Sequence, residues 1–201
     1  MLGPILFILY TADLVPLIEK HDLHGHLYAD DTQIYGSCLP DDVDNFGNRI
    51  SACIDDVARW MQSNRLQLNT DKTEVLWCAT TRRQHQLPTS PLRICSDLVA
   101  PSATVRDLGI YLEYDLTMKY HVQRTAASCF AILRQLRSIR RSVPGSVYQT
   151  LIVSLICTRL DYGNATLAGL PVYLVSRLQS VMNAVARSIV DIKRSEHITP
   201  I

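Results

Sequence analysis

The fold of the first part of this chain is decided by one stretch, Leu27 to Tyr35, which reads LYADDTQIY. Short β-prone apolar runs flank two adjacent carboxylates, Asp30 and Asp31, and glycines lie just outside the stretch on both sides. This pattern predicts a tight β-hairpin with the acids at its turn or next to it. Successive residues of a straight strand point to opposite faces, whereas two carboxylates at a turn can approach one cation.

The acidic pair predicts a divalent-metal site. Mg²⁺ (or Mn²⁺) prefers oxygen ligands and is often held by one or two carboxylates together with substrate phosphates, which suits phosphoryl or nucleotidyl transfer. Two other doublets, Asp41-Asp42 and Asp55-Asp56, are interpreted as a turn or helix cap and a solvated helix face. Solvated surface is also the alternative for Asp30 and Asp31. Only this pair has an apolar, strand-like frame, where desolvated acids would repel each other without a cation.

Charge is distributed unevenly along the 201 residues, although the formal net charge is only +1. Residues 1–118 hold 9 Lys and Arg against 16 Asp and Glu, and residues 119–201 hold 11 against 3. An acidic part followed by a basic part suits a metal site beside a segment that binds a polyanion. The alternative is two ordinary parts that attract each other. The change of charge and pattern places a domain boundary near residue 118.

Cysteine usage and hydropathy indicate an intracellular protein. The six cysteines are widely spaced without a Cys-x-x-Cys pair, so neither a zinc site nor a disulfide partner is expected. The apolar run after Pro4 lacks the features of a signal peptide, and no stretch reaches the roughly eighteen apolar residues that span a bilayer. We therefore expect reduced thiols and no membrane partner.

Hydrophobic periodicity predicts mixed secondary structure up to residue 118 and helices beyond it. A helix that opens at Gly3-Pro4 is apolar nearly all round, so we expect both of its sides to be covered. A long helix follows Pro40. Strands are predicted over 74–78, 92–95 and 108–112, and three helices are predicted from Tyr120, from Val147 and from Pro171.

The arginines of the helix predicted from Tyr120 form the best candidate surface for binding nucleic acid. Arg134, Arg137 and Arg141 recur at i, i+3 and i+7, and Arg140 lies beside them. If these side chains meet phosphates, affinity for nucleic acid should fall steeply with salt. The alternative is a solvated helix face.

Five segments, in the same order as in the family, together resemble the reverse transcriptases of non-LTR, LINE-type retrotransposons, and most closely the jockey-like branch. The first, 2–7, is similar to the end of a Gln-Gly-Ser-x-Leu-Gly-Pro block. The second, 28–32, is similar to the Tyr/Phe-Ala-Asp-Asp-Thr catalytic hairpin. The others are Trp60 to Thr73, with Asn64, Asn69 and Lys72; Leu108-Gly109 with His121, similar to a primer-gripping hairpin; and 159–164 with Leu170-Pro171.

The resemblance implies an α+β fold, with a partial polymerase palm over 1–118 and an all-helical, thumb-like region over 119–201. It implies that Asp30 is a ligand of a two-metal Mg²⁺ site, with Asp31 in support. Template RNA, a DNA primer and dNTP would be the partners, and relatives that copy RNA at a nicked chromosome act in the nucleus.

Further roles follow from the same resemblance. Lys72 would be a general acid for pyrophosphate, or a surface lysine. Gly3 and Pro4 would lie against the nucleotide. Tyr28 would contact the primer strand, or pack beneath the hairpin.

The resemblance also sets an expectation about activity. The family's fingers, an earlier catalytic Asp and the Gln-Gly part of the first block have no counterpart here, so the chain is expected to be a C-terminal piece without useful polymerase activity. The alternative is a non-catalytic remnant, or a binding module for nucleic acid or protein. A metal-dependent nuclease is less attractive, because no further acidic or histidine cluster is seen.

Overall fold

A computed structural model describes residues 2–190 and 192, and the chain divides into two compact units, Met1–Ala103 and Thr104–Ile201. In these described residues, helices are combined with three separate two-stranded antiparallel sheets, which is compatible with the expected α+β class. The second unit begins before residue 118, because its opening hairpin packs against the helix that follows.

The first unit contains four helices or strands before its longest helix and two short strands after it. The elements are α1 (Gly3–Tyr10), α2 (Leu14–Glu19), β1 (His24–Tyr28), β2 (Asp31–Tyr35), α3 (Val43–Ser63), β3 (Leu92–Ile94) and β4 (Asp97–Val99). Strand β1 pairs with β2, and β3 pairs with β4. Short 3₁₀ turns lie at Pro40–Asp42, Thr70–Lys72 and Thr81–Gln86.

A small apolar core holds the β1–β2 hairpin against α2 and α3. Glycines make the close approach possible: a Cβ on Gly25 would lie 2.8 Å from Ile18 Cδ1, and one on Gly36 would lie 2.9 Å from Leu23 Cδ2. Contacts shorter than 3 Å between carbon atoms are repulsive, so a larger residue would push the hairpin away. The buried side chains of this core are Leu14, Ile18, Leu23, Phe46, Cys53 and Val57.

Polar contacts fix the β3–β4 hairpin to α3. The Arg93 guanidinium donates to both oxygens of Asp55, at 3.2 and 2.8 Å, and Ser51 Oγ donates to the Arg93 carbonyl at 2.7 Å. This bidentate pair lowers the pKa of Asp55, chiefly through its hydrogen bond. Asp56 forms an ion pair with Arg59, and its carboxylate lies 2.9 Å from His21 Nε2. The doublet predicted to face water is therefore engaged in ion pairs.

Two local predictions for this unit are wrong. The segment 74–78 forms no strand and makes only an isolated parallel bridge from Val75 to Pro101. Helix α1 is covered on neither side by the described residues: Ile8 is 65% exposed and Leu9 is 67% exposed. The apolar side chains of α1 therefore contribute nothing to the described core of this unit, which begins at Leu14.

The described part of the second unit opens with a hairpin and continues with four α-helices. Strand β5 (Thr104–Asp107) pairs with β6 (Ile110–Glu113). The helices are α4 (Lys119–Ile139), α5 (Gly145–Ile152), α6 (Thr158–Asp161) and α7 (Val172–Val190), with a π-helical segment at Val153–Cys157 between α5 and α6. The predicted helix from Val147 is thus interrupted. The buried core of this unit is formed by residues that include Ala126, Leu133, Tyr148, Ile152 and Val181.

Side chains at the start of α4 tie it to the hairpin. Glu113 of β6 accepts a hydrogen bond from the Tyr120 backbone N–H at 2.8 Å, which satisfies one of the N–H groups that a helix leaves open at its first turn. His121 is buried, and its Nδ1 accepts a hydrogen bond from the Tyr111 N–H at 3.3 Å. Within the described residues, no helix has the length and apolarity needed to cross a membrane.

Candidate metal-binding hairpin and arginine groove

The acidic pair lies at the turn of the β1–β2 hairpin, as predicted. Tyr28 pairs with Asp31 in the last register position, which leaves Ala29 and Asp30 as a two-residue turn. Ala29 has φ +51°, and tight hairpin turns use this left-handed region because its twist matches that of the strands. The turn therefore presents Asp30 at the tip and Asp31 at the first position of β2.

The setting of the two carboxylates differs from the apolar frame inferred from sequence. Asp30 and Asp31 are both exposed, and the Tyr28 ring next to them is 60% exposed. Water therefore solvates both charges, and no cation is needed to offset desolvation. The exposure also shows that Tyr28 does not pack beneath the hairpin, so its ring is available to a ligand.

The donor set at the hairpin fits part of a metal site. Two adjacent carboxylates are enough for one Mg²⁺ that completes its shell with waters and substrate phosphates. Among the described residues, no group of three or more His, Cys, Asp or Glu side chains is placed to hold a metal. His24 and His26 lie two residues apart on β1 and are exposed, and the His24 ring packs on Tyr35 at 5.5 Å.

The remaining candidates of this unit lie on other elements. Lys72 is exposed at the end of the 3₁₀ turn Thr70–Lys72. Gly3 and Pro4 are exposed in the first turn of α1, and a Cβ on Gly3 would meet no described atom within 4 Å. Asn69 acts through its backbone, because its carbonyl accepts from Thr73 Oγ1 at 2.9 Å.

The predicted arginines of the second unit come together in a groove between α4 and α7. This groove, called the arginine groove below, has a volume of about 1060 Å³. Arg134, Arg137, Arg140 and Arg141 line one side. None of the described residues that line it is acidic.

The four predicted arginines are not equivalent. Arg137 donates to the Ala184 carbonyl at 3.1 Å and to Ser188 Oγ at 3.4 Å. Arg140 donates to the Ser188 and Ile189 carbonyls and lies over the Tyr148 ring, with 5.4 Å from Cζ to the ring centroid. Cations near a helix C-terminus are favoured by its dipole, so these two arginines stabilise the end of α7.

Sequence reasoning missed the second wall of the groove. Arg177 and Arg187 of α7 line it opposite α4. With Ser180 and Ala184 they recur at i, i+3, i+7 and i+10, a stripe directly beside the apolar face of that helix. This spacing was the available signal, but the two arginines are far apart in the sequence and form no run.

A second missed feature is the role of the segment 159–164. The Tyr162 hydroxyl donates to the Leu108 carbonyl, and the Tyr162 ring covers Gly109 in the turn between β5 and β6. A Cβ on Gly163 would lie 2.7 Å from Ile110 Cδ1, and Gly163 has φ +70°, so a side chain here would displace Ile110 and strain the backbone. The segment thus holds the β5–β6 hairpin in place within the second unit.

A comparison with known protein families finds a match over the segment that contains the β1–β2 hairpin. The sequence model of one family, described as Reverse transcriptase (RNA-dependent DNA polymerase), matches residues 1–112. This match covers more than half of the chain and includes the β1–β2 hairpin with Asp30 and Asp31. The chain therefore belongs to the reverse transcriptase family. No curated protein and no solved structure gives a significant match.

Proposed function

We propose that this chain belongs to an RNA-directed DNA polymerase of a non-LTR retrotransposon, with the β1–β2 hairpin as its metal-binding element. The observation that carries this proposal is the placement of Asp30 and Asp31 at the turn of a hairpin inside the segment that matches the family. The order of the five resembling segments supports the non-LTR, jockey-like type. Action in the nucleus is part of this proposal.

Asp30 and Asp31 would hold a divalent ion together with phosphates of the primer or dNTP. Such an ion, when bound, neutralises phosphate charge and activates a hydroxyl. The exposed Tyr28 ring lies beside the carboxylates and offers a face on which a base or sugar of the primer can pack. Lys72 would protonate pyrophosphate, and Gly3 with Pro4 would lie against the nucleotide.

The 201-residue chain alone is proposed not to extend a primer. A two-metal centre needs more carboxylates than this pair, and no described residue adds a third ligand to it. Each 1.4 kcal/mol of lost transition-state stabilisation costs about tenfold in rate, so a missing ligand worth several kcal/mol reduces extension to background.

A primer-extension assay with Mg²⁺, a DNA primer and an RNA template tests this proposal. We expect background incorporation, and primer–template binding that Mg²⁺ strengthens in the wild type but not in Asp30→Asn/Asp31→Asn. The matched control is Asp41→Asn/Asp42→Asn, an equally exposed doublet with the same change of charge. Robust incorporation that Asp30→Ala abolishes would overturn the proposed inactivity. Equal Mg²⁺ dependence in both double variants would overturn the metal role of the hairpin.

A non-catalytic module that binds nucleic acid is the second candidate. The arginine groove favours it, because six arginines converge there without an acidic residue among the described lining residues. Strand binding that is independent of both Mg²⁺ and Asp30 would support this candidate over the first.

A further inference from the structure

We propose that the arginine groove binds one single strand of nucleic acid by its phosphates, with Arg134, Arg141 and Arg177 as the contacting residues. This inference deepens the proposed function and rests on it for the choice of nucleic acid as the ligand. It concerns only the second unit and does not depend on the hairpin.

The charge of the groove favours an anionic ligand. Arg134, Arg141 and Arg177 line it, and no carboxylate is among its described lining residues. Like charges on one helix face destabilise it, and Arg134 and Arg137 of α4 are neighbours at i and i+3. A bound polyanion relieves this repulsion, whereas an empty groove retains it.

The arginines of the groove divide into those held by α7 and those open to a ligand. Arg137 and Arg140 are held by the carbonyl oxygens at the end of α7. Arg134, Arg141 and Arg177 are exposed, and among the described residues no ion pair or side-chain hydrogen bond engages any of their guanidinium groups. Their guanidinium groups can therefore bind phosphate in the bidentate geometry that arginine favours.

The groove is long enough to meet several phosphates in succession. It follows α4 from Phe130 to Arg137, a length of about 11 Å at 1.5 Å per residue, and continues to Arg140 and Arg141 in the 3₁₀ turn Arg140–Ser142. One strand that lies along it can contact arginines of both walls, and a bound duplex is the alternative that the test below excludes.

The chemistry of the walls suits a single strand as well. Phe130, which is partly buried and packs against the core, lines the groove beside Arg134 and would give a base an apolar surface on which to pack. Single-strand sites combine a basic groove along the backbone with such aromatic platforms. Because arginine–phosphate contacts do not read the 2′-hydroxyl, RNA and DNA strands of one sequence should bind alike.

The test is fluorescence anisotropy with a labelled single-stranded RNA of about 12 nucleotides, within the range of single-strand sites. For the full 201-residue chain, log K should fall linearly with log salt concentration. In Arg134→Gln/Arg141→Gln/Arg177→Gln the slope should decrease by roughly 2, with at least about tenfold weaker binding at low salt. Thermal melting checks that this variant is folded, as expected because all three side chains are exposed.

The matched control is Arg65→Gln/Arg82→Gln/Arg83→Gln, three exposed arginines of the first unit with the same total charge change. It should retain the wild-type slope. An equal loss of RNA affinity in both triple variants would overturn the proposed role of the groove, since binding would then follow net charge alone. Tighter binding of a blunt duplex than of the single strand would also overturn it, as would displacement of the RNA by polyglutamate at equal charge.

A measurement without divalent metal separates this inference from the proposed function. In EDTA the wild type should bind the single strand at least as tightly as in Mg²⁺, because the groove lies wholly in the second unit and arginine–phosphate contacts need no metal. If the groove binds the strand but the hairpin shows no metal dependence, only the polymerase proposal fails. If the hairpin shows metal dependence but the triple arginine variant binds the strand normally, only the proposed role of the groove fails.

Discussion

The Tyr162 ring covers Gly109, so that a Cβ on this glycine would lie 3.1 Å from Tyr162 Cε1. Gly109 has φ +87°, and the preceding Leu108 has φ +43° and accepts the Tyr162 hydroxyl at its carbonyl. Both residues of the turn are in the left-handed region, which is costly for Leu108. Tyr162 therefore stabilises a strained turn between β5 and β6, from a position more than fifty residues away along the chain.

Gly109→Ala should destabilise the second unit by about 1–2 kcal/mol for the left-handed backbone, plus the cost of the Tyr162 contact. Gly169→Ala is the matched control, because Gly169 has φ +76° but would place its Cβ within 4 Å of no described atom. The difference between the two free energies of unfolding, measured with urea, isolates the contact. Equal losses would show that Tyr162 does not constrain the turn.

Gly36→Ala should destabilise the first unit by about 1–3 kcal/mol, because the new methyl group meets a packed core. Its Cβ would lie 2.9 Å from Leu23 Cδ2 and 3.0 Å from the Phe46 ring, both buried. Gly47→Ala serves as the control: this residue lies inside α3 and would approach only Leu92 Cδ1, at 3.4 Å. Alanine gains up to about 1 kcal/mol over glycine in a helix, so Gly47→Ala should be neutral or stabilising. Thermal melting that ranks the two variants the other way would contradict this packing.

Acidification should weaken the second unit through His121. Burial lowers the pKa of His121, whose Nδ1 must stay unprotonated to accept the Tyr111 N–H. Between the lowered folded pKa and the unfolded value near 6.5, the unfolded state binds more protons, so the free energy of unfolding falls as pH drops through this window. Urea unfolding at several pH values should show a weaker pH dependence in His121→Gln.

The control for this pH effect is His26→Gln, which replaces an exposed ring on β1. It should keep the wild-type pH dependence. An unchanged dependence in His121→Gln would remove His121 as its source.

Thiol alkylation should separate the cysteines by burial. Burial, with a smaller effect of Asp56, raises the pKa of Cys53 to about 11, and burial also raises the pKa of Cys129. Since the thiolate is the reactive form, only about one-thousandth of Cys53 is reactive near pH 8, and its side chain is fully buried. Mass spectrometry after iodoacetamide treatment should show exposed Cys78 modified first and Cys53 only in denaturant. Modification of Cys53 at the rate of Cys78 in native buffer would contradict the described core.

Local patterns were sufficient to predict the hairpin and the long helices. Alternating β-prone residues around Asp30 gave β1 and β2, and helical periodicity gave α3, α4 and α7. The three-residue strand β4 was not predicted, because so short a segment carries no periodicity. The strand expected over 74–78 has suitable residues but pairs only once, through Val75.

The features that depend on distant residues were beyond sequence reasoning. Arg177 joins Arg134 in one groove only because α7 packs beside α4, and Tyr162 meets Leu108 only through the fold of the second unit. Burial was also misjudged: apolar neighbours suggested that Asp30 and Asp31 are desolvated, yet a two-residue turn leaves both in water. The spacing of residues along the chain predicts which side chains share one face of a helix, but it does not predict which helix faces pack together.

Mn²⁺ binding followed by electron paramagnetic resonance, with a short DNA primer annealed to RNA present, tests the central claim most directly. Two exposed carboxylates with phosphates predict a weak site, with a dissociation constant on the order of 10⁻³ M or tighter. We expect one Mn²⁺ site in the wild type and in Asp41→Asn/Asp42→Asn, and its loss in Asp30→Asn/Asp31→Asn. Retention of that site in Asp30→Asn/Asp31→Asn would contradict the account.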